Sequence, residues 1–288
     1  ATTCSRSIGR ASWIPCLARI ALLQAQTGID PPRNADALAA AVREAKAGRA
    51  EMLFTPEMSG LLDRDRARAA ANLRFPHEEP TLAAARDGAA KEGLWVHLGS
   101  LAVRREDGKL ANRSFVIDPA GEIRATYDKL HLFDVDLPTG ESWRESASYT
   151  GGDSAVVVEG TPVGTLGLTI CYDLRFPALF AALAEAGADT IAVPAAFTVP
   201  TGRAHWEVLL RARAIEAGLF VVAAAQAGSH QDGRETYGHS LVADPWGELV
   251  LAMGGEPGLA FADLDLSRIA EVRGRVPALH PRRPIPEV

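Results

Sequence analysis

Cysteine is scarce in this chain of 288 residues: there are three, and no pattern links their spacing. An odd number of unpatterned cysteines gives no disulfide framework and is typical of a protein in the reducing cytoplasm. Positively charged residues are also relatively few, since 36 Asp and Glu outnumber 30 Lys and Arg and leave a net charge of −6. Without a basic stripe, the chain lacks the electrostatic features of a protein that binds nucleic acid or an anionic membrane surface.

Long apolar runs and linkers are missing too. No apolar stretch reaches the roughly 20 residues that cross a bilayer, so we expect a soluble, cytoplasmic protein with a small-molecule substrate. No linker divides the middle, which predicts one domain over residues 19–275. Residues 1–18 show little periodicity and are expected to be an extension of unassigned origin outside the fold. The Pro-rich tail, 276–288, is expected to lie over a surface or a subunit partner.

Short β-branched runs alternate with Ala-rich helical runs along the whole chain, which indicates a layered α/β fold. The predicted strands are Arg19–Gln26, Glu51–Pro56, Leu94–Val103, Ala111–Asp118, Ile123–Tyr127, Ala155–Val158, Gly164–Ile170, Thr190–Pro194, Leu219–Ala225, His239–Asp244 and Gly258–Asp265. The predicted helices are Asn34–Ala47, Thr81–Glu92, Pro177–Ala186, Ala204–Ala217 and Leu266–Val272. Two Pro-early, Gly-late turns, Asp118–Glu122 and Asp244–Glu248, predict hairpins and hence a mixed sheet.

One cysteine stands at a position suited to chemistry. Cys171 ends an apolar run and opens a helical one, which puts its thiol on a strand-to-helix turn. Unpaired N–H groups and the positive end of the helix dipole favour a thiolate there, so Cys171 is a candidate nucleophile. A lone cysteine after a strand is nevertheless more often a small buried hydrophobe, and only its surroundings decide.

Three charged residues are candidates to act together with the Cys171 thiol. Glu57 and Lys129 each follow a predicted strand, and Glu145 lies in a loop-like segment beside Glu141. Each alone would be a solvated surface charge by default. At strand ends beside apolar runs, however, Glu57 and Lys129 are costly to leave unpaired, which favours a shared pocket.

Five blocks carry a resemblance to a known family. They are Phe54-Thr-Pro-Glu-Met58, Tyr127-Asp-Lys-Leu-His-Leu-Phe-Asp134, Ile170-Cys-Tyr-Asp-Leu-Arg-Phe-Pro177, His205-Trp-Glu-Val-Leu-Leu-Arg-Ala-Arg-Ala-Ile-Glu216 and Tyr237-Gly-His-Ser240. With these blocks in this order, the chain resembles the nitrilase superfamily of carbon–nitrogen hydrolases, in particular its Nit branch of amidases. Two positions depart from the family pattern: Ala217 stands where Asn is usual, and Thr150-Gly151 stands where Pro-Gly is common.

The resemblance implies a fold and a set of residue roles. The fold is an αββα sandwich that pairs into an αββααββα homodimer, with larger oligomers left open. Glu57 is implied as the general base, Lys129 as the cation that stabilises the oxyanion, Cys171 as the nucleophile and Glu145 as a second carboxylate. No cofactor is implied. A thiolate, an oxyanion donor and an acid for the leaving nitrogen are what amide cleavage requires.

Other residues are candidates for binding the substrate or a metal ion. Tyr172, Phe197 and Thr198 are candidate substrate contacts, and Arg175 or Arg203 can receive a substrate carboxylate, with an ion pair to Asp173 as the alternative for Arg175. No metal site is expected, because no two of the histidines singled out have ligand spacing; these are His131, His205 and His239.

The sequence therefore predicts an amidase that releases ammonia from a small carboxamide through a cysteine thioester, with the Nit amidases of deaminated glutathione as the most similar type. An ω-amidase or an N-carbamoyl amino acid amidohydrolase with the same mechanism is the first alternative. A binding or scaffold member that has lost catalysis is the second, and the intact Glu57, Lys129 and Cys171 argue against it.

Overall fold

Two mixed β-sheets form the centre of the protein. The computed structural model describes residues 17–136, 140 and 142–279, together with the backbone of two short strands near the N-terminus. The strands are β1 (Thr3–Cys4), β2 (Ile14–Pro15), β3 (Leu17–Gln24), β4 (Met52–Phe54), β5 (Trp95–Arg104), β6 (Leu110–Ile117), β7 (Ile123–Asp128), β8 (Asp134–Asp136), β9 (Ser142–Arg144), β10 (Val157–Thr161), β11 (Gly164–Leu168), β12 (Thr190–Ala192), β13 (Phe220–Ala223), β14 (Ala227–Ser229), β15 (Glu235–Tyr237), β16 (Leu241–Ala243), β17 (Leu249–Ala252) and β18 (Gly258–Asp265). The α-helices are α1 (Pro31–Ala47), α2 (Arg66–Asn72), α3 (Pro80–Glu92), α4 (Pro177–Glu185), α5 (Val199–Ala217) and α6 (Ser267–Arg275).

Both large sheets have the same internal design. The first has the strand order β18-β3-β4-β5-β6-β7, and the second has the order β10-β11-β12-β13-β16-β17. Each contains three neighbouring parallel strands, β3-β4-β5 and β11-β12-β13, flanked by antiparallel strands. The two predicted hairpins are present as β6–β7 and β16–β17, so the expectation of a mixed sheet is confirmed.

The core lies in layers. One buried cluster joins residues of the first sheet, such as Ile20 and Phe54, to residues of the second, such as Leu168 and Ile191, and to α4 and α5. A second cluster packs α1 and α3 on the other face of the first sheet. The result is a helix–sheet–sheet–helix sandwich, which confirms the predicted αββα fold. Among the described residues, no helix is long and apolar enough to span a membrane.

Local signals explain the main helices. α1 begins after Asp30, whose side chain accepts a hydrogen bond from the Arg33 N–H, and has Pro31 in its first turn. α3 and α5 both end at a glycine in the left-handed conformation, Gly93 and Gly218, as helices commonly do. α5 begins at Val199, five residues before the predicted Ala204, because Pro200 fits the first helical turn.

Several boundaries differ from the sequence prediction. β3 begins at Leu17, so Leu17 and Ala18 belong to the fold and not to the predicted extension 1–18. They pair with Asp265 and Leu264 of β18, and Ala18 is fully buried. Residues 1–2, 5–13 and 16 lie outside the described part of the chain, as does most of the predicted tail, although its Leu279 packs into the core. The predicted elements do not include α2 or seven short strands, namely β1, β2, β8, β9, β14, β15 and β17.

Gly99 in β5 allows the first sheet to lie close to the second beside the turn that follows β4. A Cβ atom at Gly99 would lie 2.0 Å from the Thr55 carbonyl oxygen and 2.6 Å from the Pro194 Cβ. The Gly99 N–H donates to the Thr55 hydroxyl at 2.9 Å. The β5–β6 register shifts over this stretch, between Leu98 and Leu101. Gly99 therefore sets how closely β5 supports the turn that follows β4.

We expect Gly99→Ala to lower the free energy of unfolding by about 1–3 kcal/mol, because the added methyl group overlaps backbone that is fixed by both sheets. Urea denaturation followed by circular dichroism measures the change. Gly254→Ala is the matched control, since a Cβ atom there meets no atom within 4 Å. Equal stability of the two variants would show that β5 can move away from the turn.

Candidate active site

Two turns at strand ends carry residues in an uncommon backbone conformation. Cys171 follows β11 with a φ angle of 50°, and Met58 follows Glu57 after β4 with a φ angle of 57°. Residues other than glycine rarely adopt positive φ values, and they keep this conformation where the surrounding structure holds the backbone in place. The Cys171 N–H donates to the Pro194 carbonyl at 2.9 Å, and the Met58 N–H donates to the Ser100 hydroxyl at 3.0 Å. The turn of Cys171 is thus tied to the segment after β12, and the turn of Met58 is tied to the middle of β5.

Lys129 links two carboxylates in the interior. It follows β7 directly, and its Nζ lies 2.9 Å from Glu57 Oε1 and 2.9 Å from Glu145 Oε2. The Lys129 side chain is 2% exposed, and those of Glu57 and Glu145 are 6% and 10% exposed. The structure therefore brings together three of the predicted site residues in one buried cluster.

Backbone donors orient the two carboxylates. The Ala196 N–H donates to Glu57 Oε2 at 2.9 Å, and the Phe133 N–H donates to Glu145 Oε2 at 2.7 Å. Glu145 opens a short 3₁₀ turn after β9, and Ala196 follows β12 by four residues. Strand ends of both large sheets therefore take part in the cluster.

Asn112 belongs to the cluster and was missed by the sequence reasoning. Its side-chain N–H groups donate to Glu57 Oε1 at 2.9 Å and to Glu145 Oε1 at 3.1 Å. Asn112 is buried inside β6, where asparagine is disfavoured. An Asn inside the predicted strand Ala111–Asp118 was the one signal that could have identified it.

Cys171 is the fifth member of the cluster. Burial raises the pKa of its thiol well above the usual value, the charge of Glu57 adds to the increase, and Lys129 opposes it. The expected preference for thiolate is therefore wrong for the resting protein, because Cys171 opens only a five-residue 3₁₀ helix, Cys171–Arg175, and desolvation outweighs the helix dipole. Burial alone would lower the pKa of Lys129, but Glu145 and Glu57 raise it well above its usual value. The cluster thus pairs a neutral thiol with a protonated amine.

A free backbone donor lies next to the thiol. Among the described residues, no acceptor takes the N–H of Tyr172, although its neighbours Cys171 and Asp173 donate to the carbonyls of Pro194 and Ile170. An unpaired N–H beside a nucleophile is the usual component of an oxyanion site.

Asp173 ties the segment after Lys129 to the turn of Cys171. This fully buried carboxylate accepts hydrogen bonds from the Ile170 N–H at 2.9 Å, the His131 N–H at 3.0 Å and the Tyr127 hydroxyl at 2.7 Å. The His131 Nδ1 lies 2.7 Å from Asp173 Oδ1, and its ring stacks on Phe176 at 3.5 Å. One carboxylate therefore fixes both sides of the site relative to each other.

A cleft of about 700 Å³ opens on the cluster. Its lining includes Glu57, Lys129, Glu145 and Cys171. One wall is apolar and belongs to a small separate core cluster under α2 that contains Leu61, Leu73 and Ala102. The volume lies in the range of sites that enclose a small organic ligand.

The predicted substrate contacts divide into two groups. Thr198 lines the cleft, whereas the side chains of Tyr172, Phe197 and Arg175 do not. The Arg175 guanidinium lies 5.9 Å from the Tyr172 ring centre and 5.5 Å from that of Phe197, and it contacts His205 Nδ1 at 3.3 Å. The alternative pairing of Arg175 with Asp173 is not found, because Asp173 is occupied as described above.

The remaining candidates lie apart from the cluster. Arg203 is exposed within α5 and not in the predicted loop. His205 contacts Arg175, and His239 stacks on Tyr237 at 4.0 Å. Within the described ranges, no group of three or more His, Cys, Asp or Glu side chains could hold a metal ion.

The two departures from the family pattern lie at well-defined places. Ala217 is buried at the end of α5. In the loop after Glu145, the Thr150 N–H donates to the Leu110 carbonyl and the Gly152 N–H donates to the Lys129 carbonyl, both at 2.9 Å. A Cβ atom at Gly152 would lie 2.3 Å from the Asp128 carbonyl oxygen. This loop is therefore anchored against the strand end that carries Lys129.

Comparison with known proteins identifies the family to which this fold belongs. A family model described as "Carbon-nitrogen hydrolase" matches residues 19–274. Deaminated glutathione amidase of Homo sapiens is 41% identical over 269 residues, which cover 92% of this chain and 82% of that protein. The protein of the same name from Yersinia enterocolitica is 38% identical over 272 residues, which cover 92% of this chain and 93% of that protein.

Solved structures lead to the same family. The crystal structure of Saccharomyces cerevisiae Nit3, described as a member of branch 10 of the nitrilase superfamily, matches with a TM-score of 0.82 at 27% identity and covers 93% of this chain and 97% of that one. These similarities define the class of the protein as a hydrolase of carbon–nitrogen bonds. The chain belongs to the carbon-nitrogen hydrolase family, and the predicted membership in the nitrilase superfamily is confirmed. It is an enzyme of the amidase type.

We expect Asp173→Asn to lower the free energy of unfolding by about 2–3 kcal/mol. The substitution removes the negative charge that accepts the surrounding N–H and O–H groups, and the NH₂ group of the new amide would face one of these donors without an acceptor. Turnover should fall as well, since Lys129 and Cys171 lose their common anchor. Urea denaturation and steady-state kinetics measure the two effects. Asp263→Asn, which removes an exposed partner of Arg19, is the control. Unchanged stability and turnover in Asp173→Asn would contradict the anchoring role.

Proposed function

We propose that this enzyme hydrolyses a small amide, of the type represented by deaminated glutathione, through a thioester on Cys171, and that the products are a carboxylate and an amine, or ammonia where the amide is primary. The observation that carries the proposal is the buried Lys129 ammonium, which is bonded to Glu57 and Glu145 at 2.9 Å each beside the thiol. The names of the human and Yersinia relatives support this substrate type.

The proposed reaction begins with proton transfer. Glu57 accepts the proton of the Cys171 thiol as the sulfur attacks the amide carbon, because a neutral thiol is a weak nucleophile and needs an adjacent base. Glu57 then delivers that proton to the departing nitrogen, which leaves as an amine, or as ammonia where the amide is primary. Water, deprotonated by Glu57, attacks the thioester, the C–S bond breaks to release the carboxylate, and the proton on Glu57 returns to the Cys171 sulfur.

Charge on the carbonyl oxygen is stabilised by two donors in this proposal. The Lys129 ammonium and the Tyr172 N–H are the groups available for it, since Lys129 remains protonated and the N–H has no other acceptor among the described residues. Losing one such donor typically costs about 2.7–4 kcal/mol of barrier. Glu145 keeps Lys129 charged and in position, and Asn112 holds both carboxylates.

We expect the wild-type protein to hydrolyse at least one compound in a panel of α-keto amides, N-carbamoyl amino acids, nitriles and deaminated-glutathione-like amides, with amine release measured for the last group and ammonia release for the others, and we expect Cys171→Ala to hydrolyse none. Lys129→Met should reduce kcat at least about 100-fold, because an oxyanion donor is lost. The amine and ammonia assays give the rates, and intact-protein mass spectrometry detects the acyl-enzyme.

Circular dichroism of each variant must match the wild type for the comparison to hold. Turnover by Cys171→Ala would remove the nucleophile assignment. Hydrolysis of no compound by folded wild-type protein would favour a binding or scaffold role. A preference for α-keto amides or N-carbamoyl amino acids would keep the mechanism and change the substrate.

We also propose that the chain forms a homodimer of the αββααββα type. Its support is an exposed apolar face on α5 and the turn before β17. Val208 and Ile215 are 69% and 53% exposed and lie seven residues apart on the helix, and Trp246 in that turn is 49% exposed. The Arg211 side chain donates to the Gly247 carbonyl at 2.8 Å and holds the turn against the helix. Contiguous apolar surface of this kind marks interaction sites.

Sedimentation velocity tests the dimer. We expect the wild type to sediment as a dimer or a larger assembly and the double variant Val208→Glu, Ile215→Glu to sediment as a monomer, because two charges would be buried in the interface. Ile123→Glu, a change at an exposed residue of β7, is the control. A wild-type monomer at micromolar concentration, or an unaffected double variant, would contradict the proposal.

The proposed compartment is the cytoplasm. The single described free cysteine, Cys171, is the proposed nucleophile and has to stay reduced to act.

A further inference from the structure

The mouth of the cleft is lined by arginines from three separate segments. Arg64 and Arg66 come from the segment that leads into α2, Arg144 comes from β9, and Arg234 precedes β15. Arginine presents a planar fork of donors that matches a carboxylate. Such a concentration is unusual in a chain whose net charge is −6.

Arg234 is held in a fixed orientation. Its Nε donates to Asp232 Oδ2 at 2.7 Å, and its guanidinium carbon lies 5.3 Å from the centre of the Trp143 ring. The Asp232 side chain is fully buried, and its Oδ2 also accepts the Arg64 N–H at 2.9 Å. One buried carboxylate therefore positions both the Arg234 guanidinium and the backbone of Arg64.

Two arginines at the mouth have no carboxylate partner. Arg144 is paired with Asp136 at 2.9 Å, and the lining residue Asp63 is neutralised by Arg68 at 2.6 Å. Within the described part of the chain, the guanidinium of Arg64 contacts no carboxylate, and that of Arg66 reaches only the Arg144 carbonyl at 3.4 Å. Their charge is therefore available to a ligand.

The opposite end of the cleft has the reverse character. There two carboxylates, Glu57 and Glu145, surround the single ammonium of Lys129, and the raised pKa of Cys171 keeps its thiol neutral. An anionic group would be repelled at that end and would find Lys129 already paired, whereas a neutral carboxamide fits it. Charge thus orients a substrate that has one neutral and one anionic end.

We propose that Arg64, Arg66 and Arg234 form a subsite for a carboxylate at the far end of the substrate, so that the enzyme selects elongated amides that carry an anionic group away from the reacting carboxamide. This inference rests on the proposed amidase function. The apolar wall around Leu61 and Leu73 would contact the segment between the two ends of such a substrate.

Two primary amides of equal length, one ending in a carboxylate and the other in its methyl ester, test the subsite. We expect the wild type to have the lower KM for the carboxylate. In Arg64→Gln and in Arg66→Gln the ratio of the two KM values should move at least about tenfold toward the ester, as loss of a hydrogen bond to a charged group predicts. Arg43→Gln, the same change at an exposed position of α1, should leave the ratio unchanged.

Binding separates this inference from the proposed chemistry. Calorimetric titration of the Cys171→Ala protein with the same two amides measures recognition without turnover. Tighter binding of the carboxylate, lost when Arg64→Gln and Arg66→Gln are added, supports the subsite even where the wild type hydrolyses neither amide. Equal binding of the two amides, or a preference that survives both substitutions, overturns the subsite and leaves the amidase proposal to the ammonia assay.

Discussion

The rest of the site depends on one buried ammonium shared by two carboxylates. Lys129, Glu57 and Glu145 are almost completely removed from water, and a charge in such surroundings is tolerated only when it is paired and hydrogen-bonded. The protein meets this requirement by bringing strand ends of both sheets to one place and by adding the amide of Asn112 as a common donor. Each group of the cluster therefore stabilises the charge state and the position of the others.

The architecture explains why those groups can meet. In each sheet three parallel strands end on the same side, and residues that follow them point into the junction. Glu57 follows β4 and Cys171 follows β11, so each central set of parallel strands supplies one of the two groups between which the proposed mechanism transfers a proton. Gly99 keeps the first of these turns close to Pro194 of the second sheet.

Much of this could be predicted from the sequence, because its signals are local. Alternating strand and helix patterns gave the layered fold, and β18 was placed at its observed bounds, Gly258–Asp265. Polar residues at strand ends, read with the family blocks, indicated Glu57, Lys129 and Cys171. Short irregular strands such as β8 and β9 have no periodicity to detect, and the protonation of Cys171 depends on burial by distant residues, which composition and spacing do not contain.

The small hairpin β8–β9 forms part of the cleft wall and leads directly into a carboxylate of the buried cluster. Trp143 and Arg144 form part of the cleft wall, and Glu145, the next residue along the chain, is bonded to Lys129. A substitution or insertion that reshaped this hairpin for a different ligand would shift the carboxylate as well. Changes of ligand preference in this enzyme are therefore constrained on the side of the hairpin. The segment of Arg64 and Arg66 has no direct bond to Glu57, Lys129, Glu145 or Cys171. New ligand preferences can therefore arise in that segment without loss of turnover.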